Sequence, residues 1–306
     1  MQEDTTATFL PNLFLLGAAK SGTTSMHAAL REHPSICMSD PKEPFFFECT
    51  RGEGLESYRE QYFAHWQGET VIGEARARHL YLPYVPERIH RVNPDARLVV
   101  LLRNPVDRAY AAWWHHYSRG HENLGFERAI RADLRRIEAG LTITTADDID
   151  CYCRELASRN YTGWTMYRTY LDSGHYAEQL ARYLRLFPRE QLLVLFLDDF
   201  AVQPDTVLNH VFAHVGVEAV GATMQPEARN LALPGPMPTS WVRVFRASGA
   251  RRVVPRAIVD PVVRQIVRFR SRREMRARTR RWLQQYYTDH NRRLEQLLQC
   301  DLPAWE

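Results

Sequence analysis

The chain has 306 residues and an ordinary globular composition, with 45% hydrophobic residues, 25% charged residues and a formal net charge of +4. This length suits one large α/β domain or two small ones. No run of eighteen apolar residues occurs, which argues against a membrane-spanning helix, and the acidic N-terminus lacks the layout of a secretory signal. We therefore expect a cytoplasmic protein, although an excised domain of a larger protein would also fit.

Positive charge is concentrated toward the C-terminus, where residues 243–293 hold sixteen arginines and three acidic residues. Such a segment fits either a solvated helical face or contact with an anionic partner. The five cysteines are an odd and sparse set, and Cys151 and Cys153 lack the spacing of a redox or zinc site. We expect structural or incidental thiols.

The first predicted unit begins with the apolar run 13–16, which indicates a buried strand. A turn of small residues follows over 17–24, and a helix comes next. A strand, a glycine turn and a helix N-terminus aim several backbone N–H groups at one point, which suits a phosphate or sulfate group. Lys20 adds a cation, and Thr23 and Thr24 add hydroxyls.

A second unit of the same type follows. Residues 97–102 form a continuous apolar run, typical of a parallel strand buried on both faces. This run ends at the polar turn Arg103-Asn104-Pro105, and a helix is predicted over 106–118. Further predicted elements are strands at 71–75 and 192–196 and helices at 57–66, 83–92, 126–139, 176–187, 204–215 and 282–298.

Two strand–turn–helix units at this separation predict a doubly wound sheet. We expect an α/β fold with a P-loop-like parallel sheet flanked by helices on both faces. Residues 1–306 are expected to form a single domain, with an arginine-rich helical C-terminal part over 240–306.

Several spaced motifs then occur in the order in which one enzyme family carries them. They are Gly17-x-x-Lys20-x-Gly22-Thr23-Thr24-Ser25, His33-Pro34, Lys42-Glu43-Pro44-x-Phe46-Phe47, Leu102-Arg103-Asn104-Pro105-Val106-Asp107-Arg108 and Gly174-His175-Tyr176. This set resembles the signature of the sulfotransferases that use 3′-phosphoadenosine 5′-phosphosulfate (PAPS). It is similar to the carbohydrate branch of the family, which includes heparan sulfate sulfotransferases and their bacterial relatives. The similarity runs from Asn12 to about Gly216.

The resemblance implies PAPS as the sulfate donor and a site for it on the two predicted units. Lys20 is expected to contact the 5′-phosphosulfate and to stabilise the charge that develops on the bridging oxygen. Arg103 is expected to bind the 3′-phosphate. The other expected donor-binding residues are Ser21, Gly22, Thr23, Thr24 and Ser25. No metal is expected, because the leaving bisphosphate has no γ-phosphate for a metal to bridge.

Glu43 is the candidate general base, since an acceptor hydroxyl or amine must lose a proton as it attacks. The resemblance supports this role. Lys42 is the third catalytic candidate, because it could orient the sulfate or hold Glu43. Glu74 and His79 are weaker acid–base candidates, and a structural role for them is the simpler interpretation.

The chain departs from the family pattern at two places. The family usually carries a serine eight residues after the arginine that binds the 3′-phosphate, and here that position is Ala111. Relatives also tend to carry small hydroxyl residues where this chain has Arg76-Ala77-Arg78. These arginines could increase the affinity of the acceptor site for anions, or they could face solvent. The family's cofactor-closing loop could correspond to 229–230 or to 246–252.

The acceptor is expected to be a small molecule or a glycan. The chain itself is expected to have no membrane-spanning segment, and nucleic acid is not expected as a partner. The aromatic and imidazole cluster 113–117 and the tyrosine-rich segment 161–170 could line the acceptor cleft or form buried helix faces. The sequence does not indicate the oligomeric state.

Two rival functions stay open at this point. One is a protein that binds nucleic acid or another polyanion through the arginine-rich C-terminal region. The other is a P-loop kinase, although Lys20 precedes Gly22 and so departs from the GxxxxGK[ST] spacing.

Overall fold

The computed structural model of the chain describes residues 9–48, 54–118, 121–149, 168–219, 275–303 and 305. Its five strands are β1 (Leu13–Gly17), β2 (Ile36–Met38), β3 (Val71–Ala75), β4 (Arg97–Leu102) and β5 (Leu192–Phe196). The helices used below are α1 (Thr23–Leu30), α2 (Leu55–Tyr62), α3 (Val85–Val92), α4 (Pro105–Ser118), α5 (Phe126–Glu138), α6 (Tyr176–Leu184), α7 (Leu197–Val202), α8 (Pro204–Val215) and α9 (Ala277–Leu298).

The strands form one parallel sheet in the order β2-β3-β1-β4-β5. The central strand β1 pairs with β3 on one side, where Phe14 lies opposite Glu74, and with β4 on the other, where Phe14 lies opposite Leu98. Every residue of β1 is buried, and only Arg97 of β4 is exposed. The predicted α/β fold with a parallel sheet flanked by helices is therefore confirmed.

The two faces of the sheet support separate hydrophobic cores, because successive side chains of a strand point to opposite faces. On one face, Phe14 and Leu16 pack in a core that includes side chains of α3, α6 and α9. On the other, Leu13 and Leu15 pack with side chains of α1 and α8. Neither face of the described sheet is left to water, which explains why the strands read as continuous apolar runs.

The predicted helices are found with shifted ends. The last helix begins at Ala277 instead of Trp282, because its first turn is arginine-rich and shows no apolar periodicity. The second strand, β2, was missed by the sequence analysis, since three residues are too short for a periodic signal. Residues 220–274 lie outside the described part of the chain, so the single domain over 1–306 stays a prediction.

The C-terminal helix α9 packs against the body of the protein. Leu283 and Tyr287 join a third core with side chains of α4 and α5, and Arg280 forms an ion pair with Asp107 at the start of α4. Part of the basic C-terminal segment therefore serves packing. Among the described residues, no helix combines the length and apolar character needed to cross a membrane.

We expect acid to destabilise the fold through His27, a buried residue of α1. Its Nε2 lies 3.0 Å from the Ser39 carbonyl oxygen, and burial lowers its pKa to about 4. The unfolded chain takes up a proton below about pH 6.5 while the native chain does not. The free energy of unfolding should therefore fall between pH 6.5 and pH 4 by on the order of 1 kcal/mol per pH unit from this group.

His27→Gln should remove this part of the pH dependence while keeping a donor for the Ser39 carbonyl. Urea denaturation at pH 6.5, 5.5 and 4.5 measures it, with His210→Gln, at an exposed position of α8, as the matched control. If the His27 variant keeps the wild-type slope, the proposed cause is wrong.

Candidate active site

The predicted anion-binding turn lies where β1 meets α1, at the carboxyl edge of the sheet. Gly17 has φ of 150° and lies so close to the turn after β3 that an added Cβ would be 2.8 Å from the Ala77 carbonyl oxygen. Gly22, with φ of 89°, caps α1, and a Cβ there would be 2.8 Å from Leu197 Cδ1. At Gly17 the approach to backbone leaves no room for a Cβ, and at Gly22 the positive φ is one that residues with a Cβ rarely adopt.

The N-terminus of α1 presents donors that the helix itself does not use. Its first helical hydrogen bond runs from the Met26 N–H to the Gly22 carbonyl, and no side chain caps it. The N–H groups of Thr23, Thr24 and Ser25 therefore have no acceptor within the helix. Together with the helix dipole, they form a site that suits an anion.

Ser21 plays a different part from its neighbours in this turn. It is fully buried, and its N–H donates to the Ala18 carbonyl at 3.2 Å. Ser21 therefore supports the shape of the turn.

Lys20 lies beside residues from the second strand–turn–helix unit. Its Nζ is 3.1 Å from Nδ1 of His115 on α4, and Arg103 donates from Nη1 to the Lys20 carbonyl at 3.1 Å. The Tyr176 hydroxyl in turn donates to the Arg103 carbonyl at 2.9 Å. The structure thus brings together Lys20 and Arg103, which are 83 residues apart in the sequence.

His115 was not singled out individually by the sequence analysis, which placed it within the aromatic cluster 113–117. Its spacing from Ala111, the position of the family's usual serine, could have indicated it. His115 follows Ala111 by four residues and so lies one turn further along the same face of α4. Trp113 and Trp114 of that cluster are buried in the third core, which favours the structural interpretation for them.

The second half of the site is a group of charged side chains around Glu43. Lys42 Nζ lies 2.7 Å from Glu43 Oε1, and Arg76 Nη1 lies 3.1 Å from Glu43 Oε2. Burial raises the pKa of Glu43, but the charges of Lys42 and Arg76 lower it more, so this pKa lies below its usual value. Glu43 is therefore ionised at neutral pH. Of the two roles predicted for Lys42, the geometry supports holding Glu43.

Arg76 does not face solvent, so that alternative from the sequence is wrong for this residue. Its side chain is 5% exposed. Nε and Nη2 each donate to a different carboxylate oxygen of the fully buried Glu48, at 2.6 Å. Its guanidinium also lies 4.0 Å from the centre of the Phe45 ring. With two carboxylates as partners, Arg76 does not offer an anion-binding surface either.

Glu74 and His79 lie inside the core next to this group. The Tyr58 hydroxyl donates to Glu74 Oε2, and His79 Nδ1 is 3.1 Å from Glu74 Oε1. Both side chains are almost fully buried, and burial together with Glu74 raises the pKa of Tyr58 well above its usual value. Their burial favours the structural interpretation.

Other predicted features lie partly outside the described residues. The candidate closing loops 229–230 and 246–252 are outside them, as is most of 161–170. Arg168, which is described, is buried and bound to Glu122 with N–O distances of 2.7 and 3.1 Å. It is therefore not directed at an acceptor.

One group of possible metal ligands occurs among the described residues. It consists of His175, Glu178 and His290, between α6 and α9. The two imidazole rings are stacked, with centroids 3.7 Å apart and planes 5° apart, and Arg293 shares the Glu178 carboxylate at 3.8 Å. Ligand rings converge on a metal instead of stacking, so we interpret this group as a helix–helix contact.

The two lysines of the chain, Lys20 and Lys42, both belong to this site, and the remaining 38 basic residues are arginines. The site therefore consists of an anion-binding turn with Lys20, Arg103 and His115, and a neighbouring carboxylate, Glu43, held by cations. The turn after β3 connects the two halves, since the Arg76 N–H donates to the Leu15 carbonyl of β1 at 3.1 Å.

Comparison with known proteins identifies similar chains. The membrane-associated sulfotransferase kil1 of Dictyostelium discoideum is 24% identical over 261 residues, covering 66% of this chain and 55% of that protein. Human bifunctional heparan sulfate N-deacetylase/N-sulfotransferase 1 is 25% identical over 306 residues, covering 96% of this chain and 30% of that protein. The chain thus spans only about half or less of these curated relatives.

A solved structure matches over nearly its whole length. The sulfotransferase from Alicyclobacillus acidocaldarius is 27% identical, with a TM-score of 0.66, and the match covers 97% of this chain and 99% of that one. The sulfotransferase domain family matches residues 10–234. This match covers well over half of the chain, which therefore belongs to the sulfotransferase domain family.

Proposed function

We propose that the protein transfers a sulfuryl group from PAPS to an acceptor hydroxyl or amine by in-line displacement, releasing adenosine 3′,5′-bisphosphate. The observation that carries this proposal is the hydrogen bond from Arg103 to the Lys20 carbonyl, which links Arg103 to the anion-binding turn between β1 and α1. Two anion-binding groups held in one frame suit a donor that carries a phosphosulfate at one end of its ribose and a phosphate at the other.

The turn residues would bind the 5′ end of the donor. The N–H groups of Gly22, Thr23, Thr24 and Ser25 donate to the 5′-phosphate, and the hydroxyls of Thr24 and Ser25 are within the half-exposed part of the turn. Arg103 binds the 3′-phosphate, which its five N–H donors allow beside the hydrogen bond to Lys20. Ser21 contributes through the shape of the turn.

Lys20 stabilises the charge that appears as the reaction proceeds. The acceptor oxygen or nitrogen forms a bond to sulfur while the bond between sulfur and the bridging phosphate oxygen breaks, and the electron pair stays on that oxygen. Lys20 donates a hydrogen bond to it. Sulfuryl transfer resembles phosphoryl transfer in relying on position and electrostatics. His115, bound to Lys20, orients the ammonium group.

Glu43 takes the proton that the acceptor loses. Each of its carboxylate oxygens accepts from one cation in the structure and has further lone-pair capacity for the acceptor. Its side chain is 41% exposed, so an acceptor can reach it. Because its pKa lies below the usual value, Glu43 is charged over the whole neutral range.

Calorimetry with adenosine 3′,5′-bisphosphate tests the donor site. The wild type should bind, and Lys20→Ala and Arg103→Ala should each weaken binding by about tenfold to a hundredfold, as expected for loss of a charged hydrogen bond. Arg91→Ala, an exposed arginine on α3, is the control. Absence of wild-type binding would contradict the proposed function.

Ala111→Ser should strengthen binding of the bisphosphate. The family's usual serine would add one hydroxyl donor to the 3′-phosphate, worth about 1 kcal/mol or roughly a fivefold gain in affinity. Ala111 is half-buried on the face of α4 that carries His115. The same calorimetry measures it, and unchanged or weaker binding would show that α4 does not approach the 3′-phosphate at this position.

Glu43→Gln should reduce turnover by about a hundredfold or more while leaving bisphosphate affinity within about threefold, because a base acts in the transition state. Transfer of radiolabelled sulfate is first screened over phenols, lipids, polyketide-like alcohols and glycans. N-desulfated heparan sulfate is included because the human relative is named as a heparan sulfate N-sulfotransferase.

Glu32→Gln, an exposed glutamate after α1, is the matched control for the same assay. Turnover at the wild-type rate in Glu43→Gln would remove this residue as the base.

A further inference from the structure

Arg76 occupies a position that the donor site does not explain. It follows β3 directly, at the same edge of the sheet as the anion turn, and its backbone N–H is bound to the Leu15 carbonyl. The sequence departs here from the small hydroxyl residues typical of the family. A long buried cation therefore lies beside the proposed base.

The guanidinium of Arg76 connects two carboxylates in a fixed geometry. Two of its nitrogens bind Glu48 in a bidentate arrangement at 2.6 Å, which prevents rotation of the plane. The third nitrogen, Nη1, donates to Glu43 Oε2 at 3.1 Å and lies 3.3 Å from the Glu43 carbonyl oxygen. Arg76 thus holds both the side chain and the backbone of Glu43.

The backbone of Glu43 needs such support. Its φ of 70° lies in the left-handed region, which costs a residue with a Cβ about 1 kcal/mol or more. The Phe45 ring stacks on the guanidinium at 4.0 Å and covers it. The strained turn, the stacked ring and the double contact all fix one direction for the Glu43 carboxylate.

We propose that Arg76 is the positioning residue of the base: braced by Glu48, it fixes the direction of the Glu43 carboxylate through a charged hydrogen bond. This inference rests on the proposed role of Glu43. The charged groups facing Glu43 are Lys42, Arg76 and Arg78, with Glu48 on the far side of Arg76. Lys42 is on the same turn as Glu43, whereas Arg76 follows β3. Arg76 is therefore the residue that anchors the Glu43 carboxylate to a separate element.

The first test measures the charge state of Glu43 without donor or acceptor. The full-length chain is labelled with ¹³Cδ-glutamate, and the resonance that disappears in Glu43→Gln is that of Glu43. Its titration midpoint should lie below 4.5 in the wild type. Arg76→Gln should raise this midpoint by about one pH unit, since an opposite charge at this distance lowers a carboxyl pKa by about that much or more.

Arg76→Gln leaves Glu48 as a buried charge with less compensation and could fail to fold. The double variant Arg76→Gln/Glu48→Gln removes both charges and keeps hydrogen-bonding groups, and it should show the same rise in the Glu43 midpoint. Arg59→Gln, which breaks an exposed ion pair with Glu56 on α2, is the matched control and should leave the midpoint unchanged.

The second test follows the pH profile of sulfate transfer from PAPS to phenol as a probe acceptor, because phenol itself stays protonated over the acidic and neutral range. Removing Arg76 should move the acidic limb of kcat toward higher pH and reduce kcat at pH 7 by about tenfold, with bisphosphate affinity within about threefold of the wild type. Arg76→Lys should return the limb toward its wild-type position but recover kcat only in part, because an ammonium group lacks the fork that binds both carboxylates.

An unchanged Glu43 midpoint in the folded double variant would overturn the inference, as would an unchanged acidic limb. Loss of bisphosphate binding in parallel with kcat would indicate a purely structural role and would also overturn it. Failure of the proposed function is seen separately, as absence of bisphosphate binding by the wild type.

Discussion

The parallel pairing of β1 between β3 and β4 is the constraint on which the rest of the site depends. Parallel strands end at the same edge of a sheet, and loops at that edge are where open α/β proteins bind ligands. The three loops that follow these strands hold Lys20, Arg76 and Arg103. The first two loops are in close contact at Gly17 and Ala77. The third is bound to the first by the hydrogen bond from Arg103 to the Lys20 carbonyl, so the three loops hold fixed positions relative to one another.

The charges of the site are divided between two environments. The anion turn offers backbone dipoles and a single ammonium group at the protein surface. The Glu43 group is a partly buried network in which Lys42 and Arg76 hold carboxylates whose own pKa values are lowered, Glu48 among them. The donor we propose carries several negative charges and would meet cations on its own side, while the carboxylate that would repel it is already paired with cations. This separation would let one edge of the sheet hold both a strong anion and the proposed base.

Much of the fold followed from local sequence signals, and parts of the site did not. The strands β1 and β4 could be predicted because both of their faces are buried. The turn between β1 and α1 could be predicted because its glycine and lysine spacing is local. The strand β2 has only three residues, too few to show a pattern of hydrophobic residues. The Lys20–His115 contact joins residues 95 apart, and the burial of Arg76 depends on Glu48, 28 residues upstream. The sequence does not show whether an arginine has a buried acidic partner, so solvent exposure was one of the two alternatives for Arg76.

The restriction of lysine to positions 20 and 42 has a consequence for studying the protein. No other lysine occurs in the sequence, and arginine and histidine side chains carry no primary amine, so amine chemistry addresses the two halves of the site and little else. Reductive methylation with ¹³C-formaldehyde would give two side-chain resonances besides that of the terminal amine, one at the donor turn and one beside Glu43. The chain thus carries its own pair of spectroscopic reporters, one for each half of the site.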